Sequence, residues 1–200
     1  MKQNSENPFF GTYRTPFETP PFDQIETEHY EPAFDEGIRQ LDEEVRAIAD
    51  NAELPTFENT IVALERSGKL LDKVSSAFFN VLNAEADDEM MDISQRVSPK
   101  LSESSNNIYL NEKLFARVKS VYDQKEELHL PTEDARLLEE TFDAFSVRGA
   151  ALGPENKEKY RRLSSELSLL SLTFDQNALK DKNRYELLLT KENEREGLPE

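Results

Sequence analysis

Apolar residues recur along most of this chain every three or four positions, and that period identifies helices before any other property is consulted. The series Tyr30, Phe34, Ile38, Leu41, Val45, Ile48 steps by 4, 4, 3, 4 and 3 and predicts an amphipathic helix. Pro32 fits its first turn, where an amide hydrogen has no partner, and Asn51 is its stop. The opposite face carries Asp42, Glu43, Glu44 and Arg46, as a solvated face does. A second helix is expected after Pro55, capped by Thr56, with Phe57, Ile61, Leu64, Gly68, Leu71, Ser75, Phe78 and Leu82 turned inward. Their alternating steps of 4 and 3 are close to the period of antiparallel helix packing. A glycine inside a helix costs about 1 kcal/mol relative to alanine, so Gly68 predicts a close approach by a neighbouring helix, with a hinge as the lesser reading.

The same reasoning continues toward the C-terminus. Asp87 and Asp88 suit a helix start, and Met91, Ile93, Val97, Leu101 and Ile108 follow at helical spacing, with Pro99 expected to kink or divide the element. Asn111 caps a shorter helix through Leu114, Phe115, Val118, Val121 and Tyr122. Pro131 and Thr132 open another through Leu138, Phe142 and Phe145, ended by Gly149 and Gly153. The last long helix follows Pro154 and runs through Leu163, Leu167, Leu170, Phe174 and Ala178, supported by the pairs Glu155 with Lys159 and Glu158 with Arg162.

Two segments break the helical period. Residues 7–22 hold Pro8, Pro16, Pro20 and Pro21 among Phe9, Phe10, Tyr13, Phe17 and Phe22. Proline at this density forbids helix, and the aromatics need a surface to cover, so the segment reads as a docked arm. From Arg184 to Thr190, Tyr185, Leu187 and Leu189 alternate with Arg184, Glu186 and Leu188, which predicts a short strand without a partner, followed by the polar tail KENEREGLPE. The expected architecture is all-α: an antiparallel helical array with a proline- and aromatic-rich N-terminal arm and one short orphan strand near the C-terminus. Its expected divisions are the arm at 1–22, the helical domain at 23–182, and at 183–200 a strand and tail leading toward a region beyond this sequence.

Charge narrows the partners. The 200 residues carry 24 Lys and Arg against 41 Asp and Glu, a net charge of −17. Such a surface repels phosphate backbones and anionic lipid, so neither nucleic acid nor membrane is an expected partner. No stretch approaches the roughly 20 apolar residues of a membrane span. The absence of cysteine excludes disulfides, thiol nucleophiles and cysteine-ligated metals. The first residues lack the apolar segment of a secretory signal, so cytoplasm is expected, with the periplasm as alternative for a mature chain whose signal has been removed.

The candidate chemistry is sparse. His29 and His129 are the only histidines, and neither belongs to an H-E-x-x-H pair, in which one helical turn brings two imidazoles to a zinc ion. The acidic pairs Asp87 with Asp88, Glu126 with Glu127 and Glu139 with Glu140 stand in polar contexts, without the burial that drives carboxylate pKa values apart for acid and base catalysis. Phosphate-binding glycine loops, the G-x-S-x-G elbow and calcium loops are missing as well. No catalytic residue, no metal ligand and no substrate-binding residue is assigned.

Four stretches carry a resemblance. The run PTFENTIVALERSG at 55–68, continued by LLDKVSSAFFNVLNA, resembles the N-terminal region of the thimet oligopeptidase family of zinc metallopeptidases, nearest to bacterial peptidyl-dipeptidases (dipeptidyl carboxypeptidases) and oligopeptidase A. NPFF with PFETPPFDQI and EHYEPAFDEGI near the start, SPKLSESSNNIYLNEKLFARVKSVYD in the middle, and LSLLSLTFDQNALKDKNRYELLLT near the end agree in the same order. The resemblance implies a largely helical, two-lobed enzyme that hydrolyses short peptides in a deep channel, at a zinc held by H-E-x-x-H and a downstream glutamate. All of those catalytic residues lie beyond position 200 in the family, so none carries over, and Zn2+ belongs to the parent enzyme rather than to this segment. The matching part helps form the wall and mouth of the channel; its partners would be the C-terminal catalytic region and, in the parent, short peptides. The alternative is a stand-alone helical module that binds peptides or a protein without catalysis.

Overall fold

The structure, a computed structural model, describes residues 7–85, 87–186 and 188. Seven α-helices follow one another among these residues: α1 Tyr30–Ala49, α2 Ala63–Glu65, α3 Lys69–Glu85, α4 Asp88–Tyr109, α5 Glu112–Tyr122, α6 Thr132–Val147 and α7 Pro154–Arg184. A π-helical segment, Phe57–Val62, leads into α2. The caps expected from sequence are in place. Thr56 accepts the amide of Asn59 while the Asn59 side chain accepts the amide of Thr56, Asp87 accepts the amide of Met90, and Asn111 that of Leu114.

Helix α1 spans both halves of a divided core. Its first half joins α3, α4 and the arm around Phe9, Tyr30, Phe34, Val74, Phe78 and Val97. There Phe34 and Phe78 meet edge to face with centroids 5.3 Å apart, an arrangement that adds to the area they bury. Its second half, with Val45 and Ile48, meets the π-helical segment, α5 and α6 around Ile61, Leu114, Val118, Leu138 and Phe145. Leu41 touches both clusters. Where α1 crosses α3 the backbones come so close that a Cβ on Gly37 would stand 3.0 Å from the Cα of Leu71.

Several expectations are corrected. The helix expected to run from Phe57 to Leu82 is divided at Gly68, whose φ of +76° is a left-handed conformation that stops α2. The Glu44 carboxylate accepts its amide at 2.8 Å. Gly68 is therefore a stop rather than an interior helix position, although α1 does approach it, a Cβ there standing 3.2 Å from Leu41 Cδ1; the close backbone approach of α1 and α3 falls at Gly37. Of the two outcomes expected at Pro99, division does not occur: α4 is continuous through it, with Ile93, Val97 and Leu101 packed on the first cluster on both sides. The arm docks through Phe9, which is buried, but Phe17 is 99% exposed at a turn where φ is +59°.

The orphan strand is not formed by the described residues. Arg184 closes α7, and Tyr185, Glu186 and Leu188 have no regular structure, while 187, 189 and 190 lie outside the described residues. Alternation of side chains specifies a strand only when a neighbour accepts its backbone groups, and no strand is present among the described residues to do so. Tyr185 and Leu188 are accordingly exposed.

Candidate functional site

Helix α7 is built inside out. Its main contact with the body is to α4, made by polar side chains together with Leu172 and Leu179. Lys157 donates to the carbonyl of Leu110 at 3.2 Å and pairs with Glu112 at 3.0 Å. Arg161 donates to Asn107 at 2.9 Å, and Asn106 donates to the Ser164 hydroxyl at 2.9 Å. Gln176, buried, donates to the Ser94 hydroxyl at 3.2 Å and accepts from Gln95 at 3.2 Å. The pairs expected between Glu155 and Lys159 and between Glu158 and Arg162 are not among the ion pairs of the described residues; Lys157 reaches across to α5 instead.

Four of the five apolar residues that mark this helix in the sequence face away from that contact, and the fifth, Ala178, lines a groove beside it. Leu163, Leu167, Leu170 and Phe174 are 48%, 64%, 60% and 73% exposed. No residue of α7 belongs to either core cluster. Beside the stripe, α7 forms one wall of an open groove of ≈ 970 Å³ with α3 and α4. Phe79, Leu82, Met91, Leu101, Leu172 and Leu179 give the groove an apolar lining, and Gln176 gives it a polar floor.

A second built feature holds the arm. Lys73, on α3, donates to the carbonyls of Phe9 at 3.0 Å and Gly11 at 2.7 Å, and its ammonium stands 3.7 Å from the centre of the Tyr13 ring. Burial pushes the Tyr13 phenol up to about 12, with Tyr30 beside it adding to the shift, and burial lowers the Lys73 pKa. Arg117, on α5, is buried and gathers the chain before the π-helical segment, donating to the carbonyls of Asn51 at 2.8 Å and Glu53 at 3.0 Å and to Asn59 Oδ1 at 3.0 Å. Periodicity could find neither residue, because each serves backbone carbonyls far away in sequence. The one available signal was position, a cation on the flank of an apolar face.

The residues weighed from sequence as possible chemistry are scattered. His29 stands at the start of α1, where its Nδ1 accepts the amide of Glu26 at 3.0 Å. His129 sits exposed in the turn between α5 and α6. Asp87 caps α4, and Glu126 and Glu127 are exposed. Glu139 pairs with Lys125 at 3.3 Å and Glu140 with Arg136 at 2.8 Å, both at the surface. Among the described residues no group of three or more His, Asp or Glu side chains assembles as a metal-ligand set. With His29 also engaged in a helix-start hydrogen bond, the zinc ion that the family resemblance implies does not fit these residues. No helix among the described residues is long and apolar enough to cross a membrane.

No family model matches the chain. Curated proteins do. The chain is 43% identical over 173 residues to dipeptidyl carboxypeptidase of Escherichia coli, an overlap of 86% of this chain and 25% of that protein. It is 41% identical to dipeptidyl carboxypeptidase of Salmonella typhimurium over 88% of this chain and 26% of the relative. Oligopeptidase A of Escherichia coli is 26% identical over 93% of this chain and 27% of its own length. The chain thus spans about a quarter of the length of the curated relatives it matches. Matches that run through nearly the whole chain to dipeptidyl carboxypeptidases and to oligopeptidase A assign it to the thimet oligopeptidase family, to whose N-terminal region it corresponds.

Proposed function

We propose that this chain is the N-terminal helical portion of a zinc-dependent peptidyl-dipeptidase or oligopeptidase, where it forms part of the wall and mouth of the substrate channel and restricts passage to short peptides. In this reading the chain holds none of the catalytic residues or metal ligands, and the zinc and its chemistry belong to the rest of the enzyme. The observation that carries it is the 43% identity to a dipeptidyl carboxypeptidase across most of this chain but a quarter of that protein. The scattered placement of His29, His129 and the paired carboxylates supports the non-catalytic part. A body with two buried clusters suits a wall, since a close-packed core holds a channel lining in place without itself reacting. The acidic surface disfavours nucleic acid and membrane as partners. The cytoplasm is the proposed compartment.

Peptide hydrolysis tests the reading. The 200-residue chain, supplied with zinc, is expected to leave short peptides intact, and the native polypeptide that contains it is expected to hydrolyse them in a chelator-sensitive way. Chelator-sensitive hydrolysis by the 200-residue chain alone would overturn the non-catalytic assignment. Zinc-independent capture of peptides by a chain that is not part of a larger enzyme would favour a stand-alone binding module.

A further inference from the structure

Two described side chains of α7 are buried, and both are polar: Lys157 near its start and Gln176 near its end. No apolar residue of this 31-residue helix is buried among those described. Between the two, the contact with α4 continues as Arg161 on Asn107 and Ser164 on Asn106. Leu172 and Leu179 reach toward the body only half-buried, at the edge of the open groove that separates α7 from Phe79 and Leu82 of α3.

The physical consequence is a joint unlike the others in the fold. Apolar surfaces resist separation because water must take them up again, whereas a hydrogen bond between side chains is replaced by one to water at a small net loss. Helices α1, α3 and α4 are joined in the first way, through Phe34, Val74, Phe78 and Val97, all fully buried. Helix α7 is joined in the second way, so it can leave α4 without opening either cluster. The chain also has a place to bend. Ala150 is buried in the second cluster and Lys157 makes the first contact of α7 with the body, which leaves the bend to Ala151, Leu152 and Gly153. All three are exposed, and a Cβ on Gly153 would meet no atom within 4 Å.

We propose that α7 is a hinged strap, a separate cooperative unit that comes off α4 as a whole about residues 151–153 while the body from α1 to α6 stays folded. Opening uncovers the groove walls on α3 and α4. The inference concerns this chain by itself and stands or falls apart from the peptidase reading.

Hydrogen exchange at residue resolution on the 200-residue chain, in a series of sub-denaturing urea concentrations, tests it. Once off α4, the helix lacks the packing that gives most helices their stability in water, so its amides exchange from the open state. Amides from Glu158 to Leu179 are expected to exchange at least tenfold faster than those of Phe34 and Phe78. They should share one urea slope, shallower than that of the body because less surface is exposed. Val74→Ala weakens the closed and strap-open states alike, so it is expected to speed exchange in α1 and α3 at least tenfold and to leave α7 unchanged. Gln176→Ala weakens the closed state alone, from which both openings start, and is expected to speed α7 and body amides by one factor. Amides of α7 that share the rate and slope of α1 and α3, or that speed up with Val74→Ala, would make α7 part of a single cooperative fold and overturn the inference. Rates that climb steadily from Glu158 to Leu179, each with its own slope, would overturn it in favour of fraying from the C-terminal end. The urea series on the unsubstituted chain decides between these outcomes even where Val74→Ala fails to fold.

Discussion

Lys73 shows how one side chain ties a proline-rich arm to a helical body. Its ammonium serves two arm carbonyls and the face of Tyr13 at once, so the arm is held by hydrogen bonds that its prolines cannot supply from their own amides. The pH consequence follows from Tyr13. Its phenol is raised from 10.0 to about 12 in the folded chain, so the neutral phenol contributes stability that is fully present below pH 10 and is lost as pH rises toward 12. A titration of tyrosinate absorbance is expected to show Tyr13 and Tyr30 ionising later than the ordinary phenols, with the component near pH 12 lost in Tyr13→Phe, and the arm is expected to become protease-sensitive over the same alkaline interval. Ionisation of every phenol near pH 10 would contradict the burial of this ring. The aromatics and prolines made the arm legible in the sequence, but nothing there distinguished buried Phe9 from exposed Phe17. That difference depends on where Lys73 and Asn7 fasten the backbone; Asn7 donates to the carbonyl of His29 at 2.8 Å.

Helices were legible where both period and cap agreed. Thr56, Asp87 and Asn111 each accept a first-turn amide as their residue types imply. The period alone misled in two places. Phe57 to Leu82 keeps its spacing through Gly68, yet the left-handed backbone at that glycine breaks the element in two, and a periodic pattern does not register a φ angle. In α7 the apolar stripe was readable, but its direction was not, because a moment shows that two faces differ without saying which neighbour each will meet. A pair of phenylalanines separates these cases. Phe78 is fully buried, so Phe78→Ala is expected to cost about 3–5 kcal/mol in urea denaturation of the 200-residue chain. Phe174, 73% exposed, should lose less than about 0.5 kcal/mol on the same change. Equal losses at both positions would contradict the division between core and exposed stripe.

For the whole molecule, burial and charge agree on the same picture. Two clusters joined through Leu41 on α1 close without α7, and α7 leaves its apolar stripe on the outside. The candidate site was legible only in part. The family resemblance pointed to the channel-forming region of a peptidase, and the absence of H-E-x-x-H from the 200 residues withheld the chemistry. The exposure of the apolar stripe on α7 emerged only from the structure, because sequence does not contain side-chain exposure. The function proposed for this chain depends on its working as a portion of a larger peptidase. The most direct test is the intact mass of the native polypeptide, isolated from its source cells with antibody raised against this chain. The account predicts a single species about four times heavier than 23.0 kDa, since the chain spans about a quarter of its relatives. A native product of 23.0 kDa would contradict it.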